Sequence, residues 1–418
     1  MKVLAGRSAQ AMVRKLEQRG STALARVEKP VRRIVDDVRK NGDRALLRYA
    51  EKWDGLGPRQ PLKVPATELA AAWDQAPKDY RDALQQAARN IREYCERQKP
   101  HEWWQSLAPG VEVGQIPVSL DSAGCYVPGG RYPLPSTVLM TVIPALVAGV
   151  ERICVVSPRP AAATLAAAFM LRVHDFYRVG GAQAIAALAY GTKSIPRVTK
   201  IVGPGNLYVT AAKKQVAFDC AIDFLAGPTE VVIVSDTGDA RLIAADLVAQ
   251  AEHDPEAISI FITTRKALAV KVAKEVKIAS AGNAVAEASL RNNGAILLAR
   301  LPGEAMEWAN RIAPEHITVD EDGLRHVRNA GSIFIGDYSP QAAGDYASGP
   351  NHVLPTGGAA RFRGGLGVQD FLKNISVQRL SREGLERLAP AIITLAEAEG
   401  LKAHAESIRV RCARAESA

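Results

Sequence analysis

The chain has 418 residues, 47% of them hydrophobic and 23% charged, with a formal net charge of +9. That length suits two or three domains with sizeable cores, and the positive surplus is spread too thinly, without basic runs and interleaved aromatics, to suggest nucleic-acid binding. No stretch offers about twenty apolar residues free of charge, and the N-terminus lacks a signal-like apolar segment, so no membrane span is expected and the cytoplasm is the expected compartment.

Residues 1–22 read as a helical arm, and the pattern stays helical to about residue 118, through Thr22–Asn41, Asp43–Trp53 and Leu69–Gln98. From Ala123 to Leu225 the period becomes regular. Strand-like runs start at Gly124, Arg152, Phe176, Lys200 and Ala221, and helical runs separate them. Such alternation implies βαβ units and a parallel sheet. Three of the turns between strand and helix are glycine-rich: Pro128-Gly129-Gly130, Gly180-Gly181 and Gly203-Pro204-Gly205-Asn206. Ligands of parallel sheets bind at the carboxyl ends of strands, where helix N-termini accept phosphate. No GxGxxG with a downstream acid and no Walker A string is present, so a dinucleotide site and a plain need for tight turns both remain open.

A second doubly wound unit follows, with a strand over Glu230–Ser235, a helix over Ala240–His253, and further runs ISIFITT, AILLAR, ITVD and GSIFIG. Beyond Gly336 lies a long glycine-rich stretch expected to be an irregular, functional loop. Helices resume after Leu380 and close the chain. The expected fold is therefore α/β, with two Rossmann-like doubly wound parallel-sheet domains and helical N- and C-terminal extensions. The expected division is an arm over 1–22, one domain from 23–122 with 229–366, an inserted domain over 123–228, and a C-terminal dimerisation segment over 367–418.

Polar clusters mark where chemistry could sit. Gln250 and His253 stand three apart, on one helix face, where a carboxamide oxygen and an imidazole can reach one cation; an ordinary polar helix end fits the spacing as well. Glu315 and His316 are adjacent, and Asp345 and His352 lie in the glycine-rich stretch, with Glu399 and His404 in the C-terminal helices. The five cysteines have no CxxC spacing, which argues against a thiolate zinc knuckle. Cys125, beside Tyr126, is expected to be a buried apolar residue rather than a nucleophile. Any metal would need His, Asp and Gln donors, a set suited to zinc, manganese or cobalt. Gln250, His253, Asp345 and His404 would make one.

The strings GCYVPGGRYPLPSTVLMT, VGGAQAIAALAYGT, KIVGPGNLYV, AGPTEVVIVSD, QAEHD, APEH and GDYASGPNHVLPTGGAARFRGGL, in this order, resemble histidinol dehydrogenase. The resemblance runs from about Ser122 to Arg411, and more loosely before that. It implies an NAD-dependent homodimer with one zinc ion per subunit that makes histidine from histidinol by two successive oxidations. By motif it implies Gln250, His253, Asp345 and His404 as zinc ligands that also touch substrate, and Glu315 and His316 as the acid–base pair. His316 would be the base for the alcohol and would also touch substrate, while Glu315 would activate water. Tyr126, Gln183 and Asn206 match NAD contacts; Thr229, His352 and Glu399 match substrate contacts. Thr229 departs from the serine often found there, with the hydroxyl retained. Sites drawn from both subunits are implied too. A relative acting on another alcohol, such as a sulfonated diol, is the alternative; APEH and GDYASGPNHVLPT favour histidinol.

Overall fold

The computed structural model describes residues 1–19, 22–129 and 133–413; Gly130, of the first glycine turn, lies outside them. The chain divides into two compact units, one of residues 1–98 and 120–371, the other of residues 99–119 and 372 onward.

The first unit opens with β1 (Lys2–Ala5), α1 (Gly6–Glu17), α2 (Thr22–Asn41), α3 (Asp43–Asp54), α4 (Ala66–Gln75) and α5 (Lys78–Gln98). The second unit takes the next two strands, β2 (Trp103–Ala108) and β3 (Val111–Ser119). Back in the first unit come β4 (Ser122–Tyr126), α6 (Pro135–Ala148), β5 (Arg152–Val156) and α7 (Ala162–Met170). Next are β6 (Asp175–Tyr177), α8 (Gly181–Tyr190), β7 (Lys200–Val202), α9 (Leu207–Val216) and β8 (Ala221–Ile222). These strands form one all-parallel sheet in the order β6-β5-β4-β7-β8. Chain direction across it reverses between β4 and β7, the position where open parallel sheets present a ligand crevice.

The sheet begins within two residues of each expected strand start, because runs such as SAGCY and RICVV are apolar enough for burial on both faces. Its crossover α8 (GAQAIAALAY) is mostly glycine and alanine, which lets it lie close on the strands. Amphipathic α2 covers α8 and α9 with Val27, Val31, Ile34, Val35 and Val38, and shares one apolar core with Tyr126, Ile185 and Leu188. The α2 segment thus packs with the 123–228 region rather than apart from it.

The other sheet uses β9 (Glu230–Val234), α10 (Ala240–Ala251), β10 (Ile258–Thr263), α11 (Lys266–Ala279), α12 (Ala284–Asn292) and β11 (Ala295–Leu298). It continues with α13 (Pro302–Ile312), β12 (His316–Val319), β13 (Ser332–Ile335) and α14 (Gln341–Tyr346). Its strand order is β1-β11-β10-β9-β12-β13, again all parallel.

The helical reading fails in several places. Lys2–Ala5 is an edge strand on β11, where Val3 and Leu4 gain a ladder that no helix at that position would give them. In the second unit, β14 (Leu372–Leu380) pairs antiparallel with β3, and β3 with β2; two helices, α15 (Arg382–Ala398) and α16 (Lys402–Ala413), follow. The alternation Val111-Glu-Val113 and the left-handed Gly110 (φ 78°) mark that hairpin, which helical periodicity alone overlooks. The supposed structureless stretch holds α14, and α10 ends at Ala251, leaving His253 in the turn beyond it. Among the described residues no helix is long and apolar enough to cross a membrane.

Candidate functional site

Glu315 and His316 sit where α13 ends and β12 begins, and both are buried. Ala313, in the left-handed region (φ 50°), turns the chain so that the two residues enter the sheet beside Glu230 at the start of β9. The pair therefore stands at the amino end of this sheet, opposite to the usual ligand edge. Glu315 Oε2 accepts the Thr229 hydroxyl at 2.5 Å and the Glu230 backbone N–H at 2.9 Å. The amide Nε2 of Gln250 in turn donates to Thr229 Oγ1 at 2.5 Å, which leaves the Gln250 carbonyl oxygen for another partner.

His316 donates from Nδ1 to the Glu230 carbonyl at 3.2 Å, so its lone pair belongs on Nε2. Nε2 faces Asp345 Oδ1 at 3.7 Å, and Phe334 lies against the ring. His352 donates from Nδ1 to the Asp345 carbonyl at 2.8 Å, and its Nε2 meets the Thr137 hydroxyl at 3.2 Å. A continuous series of contacts thus runs from the first turn of α6, through His352 and Asp345, to His316.

The floor is a buried carboxylate. Glu230 takes the forked guanidinium of Arg19 and the N–H of Gly357 at 3.0 Å. Removing one partner from such a buried pair costs about 3–5 kcal/mol, so this contact locks the glycine-rich stretch onto the sheet.

Electrostatics separates the roles. Burial pushes Glu315 up to about 7, against the pull of His316, the Thr229 hydroxyl and the Glu230 N–H. Burial alone would lower His316, but the carboxylates of Glu315 and Asp345 and its bond to Glu230 raise it. Asp345, although half-buried, is held below the usual carboxylate range by His316, His352 and His253. Burial keeps His352 below the ordinary imidazole range, with Asp345 opposing. His253 is exposed, in the turn beyond α10, within electrostatic reach of both Asp345 and His352.

Among the expected metal ligands, Gln250, His253 and Asp345 belong to the first unit, while His404, with Glu399, belongs to the second and is exposed. Among the described residues, no three His, Cys, Asp or Glu side chains gather closely enough to hold a metal ion. The donor chemistry fits zinc nonetheless: an amide oxygen with its nitrogen already spoken for, an imidazole and a deprotonated carboxylate.

The three expected cofactor contacts lie at carboxyl ends of the five-stranded sheet. Tyr126 ends β4, and Asn206 caps α9 with Oδ1 accepting from the N–H groups of Tyr208 and Val209. Gln183 stands in the first turn of α8. Gly203 (φ 111°) lies so close to β4 that any Cβ would strike the Tyr126 carbonyl, which is why this turn needs glycine. A buried ion pair from Lys213 to Asp223, at 2.6 Å, holds the same turn: Lys213 donates to the Gly203 carbonyl and Asp223 accepts the Gly203 N–H. Donor and acceptor groups at the crevice between β4 and β7 fit a nicotinamide dinucleotide. Cys125 is fully buried and its thiol is pushed up to about 12 by that burial, as an inert core residue would be.

Sequence reasoning missed Arg19, Asp54, Thr137 and Glu230. Each sits at a helix end or a strand start, where a polar residue looks like a cap or an exposed terminus, and only tertiary contact shows Asp54, Thr137 and Glu230 buried and Arg19 partly so.

The same chain resembles proteins of known name. A model of the histidinol dehydrogenase family matches residues 17–412. A histidinol dehydrogenase of Methanosarcina mazei is 46% identical over 416 residues, 96% of this chain and 95% of its own. One of Agrobacterium fabrum is 47% identical over 399 residues, 92% of each chain. The crystal structure of histidinol dehydrogenase from Elizabethkingia anophelis superposes with a TM-score of 0.93 at 32% identity, covering 98% of both chains.

Proposed function

The chain belongs to the histidinol dehydrogenase family, and from that premise we propose that it oxidises L-histidinol to L-histidine in two NAD-dependent steps, with the substrate held on zinc. The observation that carries this reading is the contact series Thr137–His352–Asp345–His316, which links the first turn of α6 to the buried acid–base pair. When bound, zinc fixes the substrate's imidazole and amine, and NAD accepts a hydride in each oxidation.

Gln250, His253 and Asp345 would hold the metal, and His404 of the partner subunit would complete the set. Tyr126, Gln183 and Asn206 would hold the dinucleotide. His316 takes the hydroxyl proton on Nε2 as the alcohol becomes the aldehyde; the neighbouring carboxylates favour its protonated form and so favour that transfer. Glu315, in a setting that raises its pKa, then takes a proton from the water that adds to the aldehyde. The hydrate then gives up its one remaining C–H as a hydride, which NAD would accept, and one hydroxyl proton, which His316 takes once its first proton has passed to solvent, leaving the acid. His352, kept neutral by burial, and Thr229, between Gln250 and Glu315, line the substrate. Glu399 of the partner subunit would bind the substrate as well.

Dimerisation is supported by the apolar surface of the second unit. Trp103, Leu107 and Leu395 are 50%, 65% and 64% exposed in the single chain, more than an isolated surface comfortably leaves open. Mixing tests the shared site. Glu315→Gln and His404→Asn chains should each make almost no histidine alone. Co-refolded in equal amounts, they should recover about a quarter of the normal histidine production, since half the dimers are mixed and each holds one intact site of two. No recovery would mean that both residues act within one chain.

A further inference from the structure

We propose that Asp54 is a positioning residue that fixes the Gln183 carboxamide with its oxygen outward, so that the cofactor group met there is a hydrogen-bond donor (a hydroxyl or amine) and not a phosphate. This rests on the nicotinamide reading above and adds to it a residue and a polarity. Asp54 ends α3 and is buried, 7% exposed, far from any expected site in the sequence. Its Oδ2 accepts the backbone N–H of Gly180 and the Nε2–H of Gln183, each at 3.0 Å.

A carboxylate only accepts, so the amide nitrogen of Gln183 must face it and the oxygen must point away. That oxygen lies over the first residue of α8: a Cβ on Gly181 (φ 62°) would come within 2.7 Å of it. Among the described residues, nothing donates to Gln183 Oε1. An acceptor is thereby left beside the first residue of α8.

The same contacts close the other option at this turn. The leading N–H groups of a helix are a natural phosphate site. Here the Gly180 N–H is spent on the Asp54 carboxylate, and the Gly181 N–H donates to the Tyr126 hydroxyl at 3.1 Å. A phosphate entering would displace one of these and face a buried negative charge. The start of α9 is likewise filled, by the Asn206 side chain. Gln183, expected to touch the cofactor, is therefore held by one carboxylate from the N-terminal region, and Tyr126 by the adjoining Gly181 N–H.

Titrating NADH by its fluorescence into the full-length zinc-loaded protein tests this. Asp54→Asn keeps an amide oxygen that can take both donors, so its NADH affinity should stay within about threefold of the parent. Asp54→Leu offers no acceptor; the Gln183 amide is then free to turn over, and NADH affinity should fall about tenfold, the worth of a hydrogen bond or so. Histidinol binding should stay unchanged in both. Affinity within twofold of the parent in Asp54→Leu, or the same loss in Asp54→Asn as in Asp54→Leu, overturns the assignment. If Asp54→Leu is too unstable to titrate, Gln183→Glu reads the same contact by setting two carboxylates together, and Asp54→Asn added to it removes one of the opposed charges and must raise the melting temperature. A parent protein that binds no NADH overturns the nicotinamide reading itself; a parent that binds while Asp54→Leu changes nothing overturns only the role of Asp54.

Discussion

Replacing His316 by asparagine should slow the first oxidation about a thousandfold, within the usual contribution of a positioned general base. Asparagine can still donate to the Glu230 carbonyl from its amide, as His316 does from Nδ1, so the entry into β12 survives. The basic Nε2 facing Asp345 does not. The alcohol proton is then left without an acceptor when the hydride departs. Supplying the aldehyde directly separates this from a general collapse of the site: the variant should oxidise aldehyde far better than histidinol. Equal losses on both substrates, with melting unchanged, would remove His316 from the first step.

Glu315→Gln should act on the second half of the reaction. Glutamine keeps the shape and can still accept from the Glu230 N–H, but it cannot take a proton from water. Hydration of the aldehyde should slow about a hundredfold, aldehyde should accumulate, and NADH per histidinol should fall from two towards one. The same variant makes a statement about pH. An anion beside an imidazole favours the protonated form, and Glu315 helps raise His316. Removing it lowers the His316 pKa, so the base becomes available at lower pH. The acid limb of the first oxidation should therefore move to lower pH in Glu315→Gln. A limb that stays in place would show that His316 is not the group titrating.

Much of the fold was legible because parallel strands buried on both faces leave continuous apolar runs, and the starts at Arg152, Lys200 and Ala221 coincide with observed strands. What escaped lay where pairing is decided at a distance. Lys2–Ala5 is a strand only because β11 offers an edge, and Leu372–Leu380 only because β3 does. The site divides the same way. Glu315, His316, Asp345 and His352 carry titratable chemistry in unusual neighbourhoods, and contact unites them. Asp54 and Arg19 look like ordinary helix-end polar residues. Their roles come from burial against Gln183 and Glu230, partners 129 and 211 residues away, which no local pattern encodes. Glu399 and His404 lie in a unit of their own, exposed in the single chain.

The most direct measurement counts NADH against histidine when histidinol is given to the zinc-loaded protein, before and after stripping with a chelator. The account predicts two NADH for each histidine, since an alcohol carried to an acid yields two hydrides. Turnover should vanish with the metal and return when zinc is added back. Histidinol left untouched while a sulfonated diol is oxidised, or a product formed without NADH, would contradict it.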